Sequence, residues 1–156
     1  MEKVIDNGTI EVLNDLIEIN NDRIEGYEKA ARETSGDATS LNELYNKMAS
    51  QSRDITNQLR QKVSELGGEA EDGTTTSGKI YRAWMDVKSA FSNNDTKSTL
   101  ELCEYGEDAA QKAYTQALAS DEFLSTEIRQ LIADQKADLK LSHDVIKRNR
   151  DASRNN

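Results

Sequence analysis

Apolar residues recur at alternating intervals of three and four along most of the chain. This spacing places them on one face of an α-helix. The pattern predicts four long helices and a shorter one, at about 9–34, 40–66, 95–119 and 125–150 and at about 77–92. Runs of alternating Val, Ile and Thr, which are typical of strands, are absent from the sequence. We therefore expect an all-α protein.

The lengths of the connections between these helices predict the topology. Roughly half a dozen residues join the first long helix to the second and the third to the fourth, so each pair should form an antiparallel hairpin. Nearly thirty residues, which include the segment 77–92, join the second long helix to the third. A connection of that length can run along a 25-residue helix of ~38 Å. The sequence thus predicts one domain over residues 1–156, a four-helix bundle with one long crossover that carries the extra short helix.

Polar residues interrupt the apolar stripe near the middle of each long helix. In the first helix Asn20 does so, and Tyr27 follows it seven residues later. In the third helix Glu107 does so, and Tyr114 follows at the same spacing. The second and fourth helices carry the related patterns Gln51-x-x-Asp54 and Gln135-x-x-Asp138. Because a buried, unpaired carboxylate is costly, we expect Glu107 to have a partner, a proton or a metal.

Several short motifs accompany this half-preserved repeat, namely Leu66-Gly67-Gly68, Arg82-Ala83-Trp84, Cys103-Glu104-Tyr105-Gly106-Glu107-Asp108 with Tyr114, and His143-Asp144. From Ile10 to about Arg150 the chain resembles the ferritin-like superfamily. It is most similar there to the bacterial ferritin-like bundle proteins that are grouped as a domain of unknown function. The di-iron and di-manganese members of the superfamily use one Glu from each of two helices and Glu-x-x-His from each of the other two.

The resemblance implies six positions for the ligands of a di-metal site, with three further residues that support them. The six are Glu107, Asp54, Asp138, Gln51, Gln135 and Asn20, and the supporting residues are Tyr27, Tyr114 and Glu104. Of these six positions only Glu107 keeps the residue type of the family pattern. Three carboxylates and three amides without a histidine are a poor ligand set for two metal cations.

Two interpretations of this centre are open. In the first, amides hydrogen-bond to the carboxylates in a metal-free buried network, which is tolerated when every member is satisfied. The protein would then be non-enzymatic, with a structural, stress-associated or partner-binding role, and would need no cofactor. In the second, a dinuclear iron or manganese site survives with unusual amide ligands, and the protein is an oxidase, a peroxidase or a metal store. We expect the first, because the ligand set is poor for two metal cations. No nucleophile-base pair, phosphate loop or zinc spacing is readable in the sequence either.

Composition and charge limit the binding partners and the cellular location that we expect. The net charge of -9 argues against a nucleic-acid groove and against binding to an anionic membrane. No run approaches ~20 apolar residues and no N-terminal segment resembles a signal peptide, so we expect a cytoplasmic protein. The single cysteine, Cys103, is predicted to be a small buried hydrophobe. The single histidine, His143, is predicted to lie at the rim of the site or on the surface.

A second apolar set lies beside the main stripe of the first helix, at Val4, Ile5, Val12, Leu16 and Ile19. One helix in one bundle is not expected to bury both sets, and exposed apolar patches commonly mark interfaces. The sequence therefore predicts a homodimer through the first hairpin. It does not name any other protein partner.

Overall fold

The computed structural model describes residues 7–33, 39–73, 96–119 and 124–154. Within these ranges the chain forms four helices and no strand. The helices are α1 (Asn7–Glu33), α2 (Thr39–Glu65), α3 (Thr96–Ala119) and α4 (Thr126–Arg154). They match the four long helices predicted from the sequence, although α4 continues past the expected end near Arg150. The short helix predicted at 77–92 lies outside the described residues.

Two contacts show that α1 and α3 are antiparallel neighbours. Asn20 Nδ2 donates to the Tyr114 hydroxyl at 3.0 Å, and Arg23 Nε donates to Glu107 Oε1 at 2.5 Å. Residue numbers therefore rise along α1 in the direction in which they fall along α3.

The hairpin of α1 and α2 is antiparallel as well. Ser52 Oγ donates to Asn20 Oδ1 at 2.9 Å, and Asn42 Nδ2 donates to the Ala31 carbonyl at 2.5 Å. Since α2 and α3 both run opposite to α1, they are parallel to each other. In the described part of the chain α1 and α4 each pack against α2 and α3, which leaves α2 and α3 on a diagonal. Parallel α2 and α3 need the long crossover, so the predicted bundle topology is confirmed.

The end of α2 is set by two glycines. Gly67 has a φ of 84°, a left-handed conformation that glycine adopts without a steric penalty. Its N–H donates to the Ser64 carbonyl at 3.0 Å, and the N–H of Gly68 donates to the Val63 carbonyl at 2.9 Å. This pair of bonds is a Schellman motif, which satisfies carbonyl groups at the end of the helix.

The first residues of the crossover run back along α1. Asn14 Nδ2 donates to the Glu69 carbonyl at 3.0 Å, while Asn14 Oδ1 accepts from the Glu71 N–H at 3.0 Å. Farther along, Asn21 Nδ2 donates to the Gly73 carbonyl at 2.9 Å. These bonds start the crossover in the direction that a parallel α3 requires.

Two apolar clusters fill the interior, one toward each end of the bundle. The larger cluster contains Leu13, Leu16, Ile17, Ile19, Ile55, Leu59, Val63, Ala110, Ala113, Tyr114, Ala117, Ile128, Ile132 and Leu139. The smaller cluster contains Tyr27, Ala30, Ala31, Tyr45, Met48, Ala49, Leu100, Cys103 and Ile146. Buried polar side chains occupy the middle of the bundle between them. Cys103 is a buried free thiol, as predicted.

Part of the apolar set that suggested a dimer is buried within the chain. Leu16 and Ile19 belong to the larger cluster, and Val12 packs against it partly buried. The premise that one bundle cannot bury both sets fully was wrong for Leu16 and Ile19, whereas Val12 is only partly buried and Val4 and Ile5 lie outside the described residues. Homodimerisation stays a prediction. No described helix combines the length and the apolar character needed to cross a bilayer.

Candidate functional site

A buried ion pair joins α1 to α3 in the middle of the bundle. Arg23 Nε lies 2.5 Å from Glu107 Oε1, and the two side chains are 0% and 1% exposed. A charge that is taken out of water at this depth needs a partner of opposite charge. Glu107 therefore has a partner, as expected, but the partner is an arginine, whereas the sequence suggested amides.

The rest of the Arg23 guanidinium faces α2 and a tyrosine. Its Nη1 donates to Ser52 Oγ, and its Nη2 donates to Gln51 Oε1 at 3.3 Å. Its Cζ lies 5.3 Å from the centre of the Tyr27 ring, within reach of a cation–π interaction. Burial has the largest single effect on the pKa of Arg23 and lowers it, but the charge and hydrogen bond of Glu107, together with Tyr27 and Tyr114, make the net shift of the pKa upward. The guanidinium is thus a fixed positive charge inside the bundle.

From Arg23 a chain of hydrogen bonds crosses the bundle. Ser52 Oγ donates to Asn20 Oδ1 at 2.9 Å, and Asn20 Nδ2 donates to the Tyr114 hydroxyl at 3.0 Å. The Tyr114 hydroxyl then donates to Gln135 Oε1 at 2.9 Å. Gln135 Nε2 donates to Gln58 Oε1 at 3.0 Å, where the chain reaches an exposed side chain of α2.

Every bond in this chain runs in the same direction, away from the cation. In each neutral side chain the oxygen that accepts therefore lies nearer to Arg23 than the donated hydrogen. The negative end of each dipole thus faces the positive charge, which is the favourable orientation. Hydrogen bonds that are aligned head to tail also polarise one another in a low-dielectric interior. We call Arg23, Glu107, Ser52, Asn20, Tyr114, Gln135 and Gln58 the central network.

One atom of the central network is unsatisfied among the described residues. Glu107 Oε2 is buried and has no hydrogen-bond partner there. One helical turn before it lies Cys103, whose pKa is raised first by burial and then by the charge of Glu107. The pKa of Tyr27 is also raised, mainly by burial and next by Glu107. Both groups are therefore neutral at neutral pH, and the one fixed opposite charge that pairs with Glu107 in the described ranges is Arg23.

The structure brings four of the six predicted positions close to this network and leaves two outside. Asn20, Glu107 and Gln135 belong to it, and half-buried Gln51 contacts it through Arg23. Asp54 and Asp138 are exposed. The inward face of α2 passes through Ser52 and Ile55, and that of α4 through Gln135 and Leu139. Each aspartate precedes one of these apolar residues, and one residue turns a helix by about 100°.

Arg23 and Ser52 are functional-site residues that the sequence analysis missed. Arg23 is three residues after Asn20 and four before Tyr27, so the spacing alone places it on the same helix face. Its charge, however, suggests a solvated side chain, because arginine is rarely buried without a partner. The partner lies on another helix, where local periodicity does not reveal it.

The three predicted supporting residues lie in two different parts of the bundle. Tyr27 and Tyr114 are buried beside or within the central network. Glu104 is also buried, but it pairs with Arg150 of α4. Its carboxylate lies near Asp108 and His143, and one ligand atom from each of the three lies within 4.8 Å of the others.

Comparison with known proteins places the chain in a family. The family model described as "Domain of unknown function (DUF2383)" matches residues 8–120. No curated protein matches the chain. A crystal structure of "ferritin like, diiron-carboxylate proteins" from Bacillus anthracis str. Ames is similar, with a TM-score of 0.74 and 19% identity over 92% of this chain and 96% of that chain. Likeness at this identity shows the fold alone. The protein therefore belongs to the DUF2383 family and has the fold of a ferritin-like four-helix bundle.

Proposed function

We propose that this protein is a non-enzymatic ferritin-like bundle with a structural, stress-associated or partner-binding role. In this proposal the central network takes the place that a di-metal centre has in the metal-binding members of the superfamily. The observation that carries the proposal is the ion pair of Arg23 and Glu107. The one ligand position that keeps its carboxylate is already neutralised by a cation of the protein itself.

The charges of the described residues do not fit two divalent cations. The central network contains one carboxylate and one guanidinium, so its formal charge is zero. A di-metal centre needs several carboxylates to offset its charge. Asp54 and Asp138, which were expected to supply them, are exposed. A metal ion at Glu107 Oε1 would also lie next to the Arg23 guanidinium and be repelled by it.

Two amide oxygens of the network already accept hydrogen bonds from buried hydroxyl groups. Asn20 Oδ1 accepts from Ser52, and Gln135 Oε1 accepts from Tyr114. Each amide oxygen has a second lone pair, but a metal ion there would compete with a buried hydroxyl donor for the same oxygen, and a hydroxyl left unsatisfied is costly. The geometry thus supports a preformed polar layer that aligns the four helices.

One observation favours the alternative, a di-iron or di-manganese carboxylate protein that acts as an oxidase or peroxidase or sequesters metal. Glu107 Oε2 is buried and has no hydrogen-bond partner in the described part of the chain, so it is a free ligand atom. The structurally similar protein from Bacillus anthracis is named a diiron-carboxylate protein.

Elemental analysis of the full chain, purified from medium supplemented with iron and manganese, distinguishes the two proposals. We expect the purified protein to contain no iron or manganese bound by the central network. Wild type would be compared with Glu107→Gln, with Gln135→Leu in case the first variant does not fold, and with Asp108→Asn as a control outside the network. Two metal ions per chain that persist in Asp108→Asn and disappear in either network variant would overturn the proposal.

A further inference from the structure

A second group of metal-binding residue types lies apart from the central network, on the side of the bundle where α3 faces α4. Glu104 and Asp108 are four residues apart on α3 and therefore share a face. His143 reaches them from α4, and its Nε2 lies 2.6 Å from Asp108 Oδ1. From this arrangement we propose that Glu104, Asp108 and His143 bind a single divalent transition-metal ion, such as Zn²⁺. We call these three residues the rim cluster.

The imidazole of His143 is already oriented as a metal ligand requires. Its Nδ1 lies 3.2 Å from Asp144 Oδ1, so the Asp144 carboxylate can accept a hydrogen bond from Nδ1–H. Asp144 also accepts from Lys140 Nζ at 2.8 Å, so two donors hold this carboxylate in place. A carboxylate that holds one ring nitrogen fixes the tautomer in which the other nitrogen can bind a metal. Here the other nitrogen, Nε2, lies against Asp108 Oδ1, so a metal ion at Nε2 would replace the hydrogen bond between them and release the Nε2 proton.

The geometry needs only a small adjustment to admit an ion. Tetrahedral Zn²⁺ with bonds of about 2.0–2.2 Å holds its ligand atoms roughly 3.4 Å apart. The ligand atoms of the rim cluster lie within 4.8 Å of one another. Asp108 and His143 would separate slightly, and Glu104 would move toward them. Rotations about side-chain bonds are enough for this, because Asp108 is exposed on one side.

The surrounding charges favour a cation. Among the described residues, the carboxylates that belong to the rim cluster or contact it are Glu104, Asp108 and Asp144, and Glu101 and Asp151 act on Arg150, which pairs with Glu104. The cations in these same contacts are Lys140, which pairs with Asp144, and Arg150. Carboxylates thus outnumber these cations. Arg150 pairs with Glu104, but its Nη2 is also 2.9 Å from Asp151 Oδ1. It can keep the Asp151 partner when Glu104 turns to a metal.

The ligand types indicate the class of metal. One imidazole nitrogen and two carboxylates suit Zn²⁺, Mn²⁺ or Fe²⁺, whereas Mg²⁺ and Ca²⁺ prefer oxygen ligands throughout. Three protein ligands leave a coordination position for water on the exposed side of Asp108. An ion held in this way would link α3 to α4 through groups that the central network does not use. The inference is therefore independent of the proposed function.

The full chain, stripped of metal by a chelator, would be titrated with Zn²⁺ near neutral pH by calorimetry and by NMR. His143 is the only histidine, so one set of imidazole resonances reports on the site. We expect one ion per chain, a shift of the His143 ring signals, and much weaker binding of Mg²⁺. His143→Gln and Asp108→Asn should abolish binding, and Asp144→Asn should weaken it about 10- to 100-fold.

Asp134→Asn is the matched control, because Asp134 is an exposed carboxylate of the same helix outside the cluster. This variant should bind Zn²⁺ like the wild type, and so should Gln135→Leu in the central network. Four outcomes would each overturn the proposal: no binding of Zn²⁺, binding that leaves the His143 signals unchanged, equal affinity for Mg²⁺, or undiminished affinity in His143→Gln. Loss of Zn²⁺ binding from the rim variants alone leaves the proposal on the central network untouched.

Discussion

Arg23 of α1 and Glu107 of α3 form an ion pair of 2.5 Å with both side chains out of contact with solvent. The pair is one-sided, because Arg23 Nε reaches Oε1 while Oε2 has no hydrogen-bond partner in the described part of the chain. The guanidinium also donates from Nη1 to Ser52 and from Nη2 to Gln51, both on α2. One side chain thus connects three of the four helices in the middle of the bundle.

Removing either charge of this pair should destabilise the protein strongly. We expect Glu107→Gln and Arg23→Met each to cost about 3–5 kcal/mol, because each leaves the other charge buried without a partner. The double variant Arg23→Met/Glu107→Gln should lose much less than the sum of the two. Chemical denaturation of the four proteins measures this coupling. A Glu107→Gln variant as stable as the wild type would contradict the prediction; Glu28→Gln, in an exposed pair with Arg53, is the control.

Tyr114→Phe should break the hydrogen-bond chain at its centre. Asn20 Nδ2 would lose an acceptor and Gln135 Oε1 a donor, while the aromatic packing stays. Leaving buried polar groups unsatisfied costs about 1–3 kcal/mol. Tyr105→Phe on the same helix is the control, because that side chain is 57% exposed and should tolerate the change. Equal urea midpoints for the two variants would show that the Tyr114 hydroxyl contributes nothing.

The close approach of Gly68 to α1 predicts a steric effect. A Cβ at Gly68 would lie 2.8 Å from Cδ1 and 2.9 Å from Cγ2 of Ile10, whereas at Gly73 it would meet nothing within 4 Å. Gly68→Ala should therefore lower stability by about 1–3 kcal/mol, as overpacking does. Gly73→Ala should not be destabilising. If Ile10→Ala, which removes Cγ1, Cγ2 and Cδ1, leaves the effect of Gly68→Ala unchanged, the contact with Ile10 is not its cause.

Stability should fall steeply in alkaline solution. Burial raises the pKa of Cys103 from its ordinary 9.0 and the pKa of Tyr114 from its ordinary 10.0. The unfolded chain loses these protons above the ordinary values, while the folded protein keeps them. Their stabilising contribution is therefore complete below pH 9 and is lost as the pH rises, by up to about 1.4 kcal/mol per pH unit for each group.

Denaturation midpoints measured from pH 7 to beyond pH 10 test this dependence. In Cys103→Ala the fall in stability that begins near pH 9 should be absent, whatever the effect of this substitution on stability at neutral pH. The native thiol should also resist alkylation until the protein is unfolded, because the thiolate is the reactive form. A midpoint that is constant up to pH 10.5, or rapid labelling of the native protein, would contradict the prediction.

The homodimer predicted from the sequence can be tested directly. Sedimentation at micromolar concentration should give a species of twice the chain mass of 17.4 kDa. Since Leu16 and Ile19 are buried within the chain, the prediction now depends on Val4 and Ile5. Val4→Ser/Ile5→Ser should dissociate the dimer, whereas Leu141→Ser, at an exposed leucine of α4, should not. A species of single chain mass in the wild type would contradict the dimer.

The sequence determined the number, type and order of the long helices. Apolar periodicity and glycine stops act over a few residues, so they are visible in the chain itself. The contrast between short and long connections also determined that the second and third long helices run parallel. The sequence further located a polar layer at mid-bundle, with Asn20, Glu107 and Gln135 in it. These residues interrupt a pattern whose other members are apolar.

The tertiary structure alone decided which groups meet in that layer. A rotation of about 100° separates one residue from the next on a helix, which is why Ser52 faces inward and Asp54 does not. The partner of Glu107 is 84 residues away in the chain, and local spacing carries no information on such a pairing. For the same reason the sequence marked Glu104 and His143 separately, whereas the packing of α3 on α4 brought them together with Asp108.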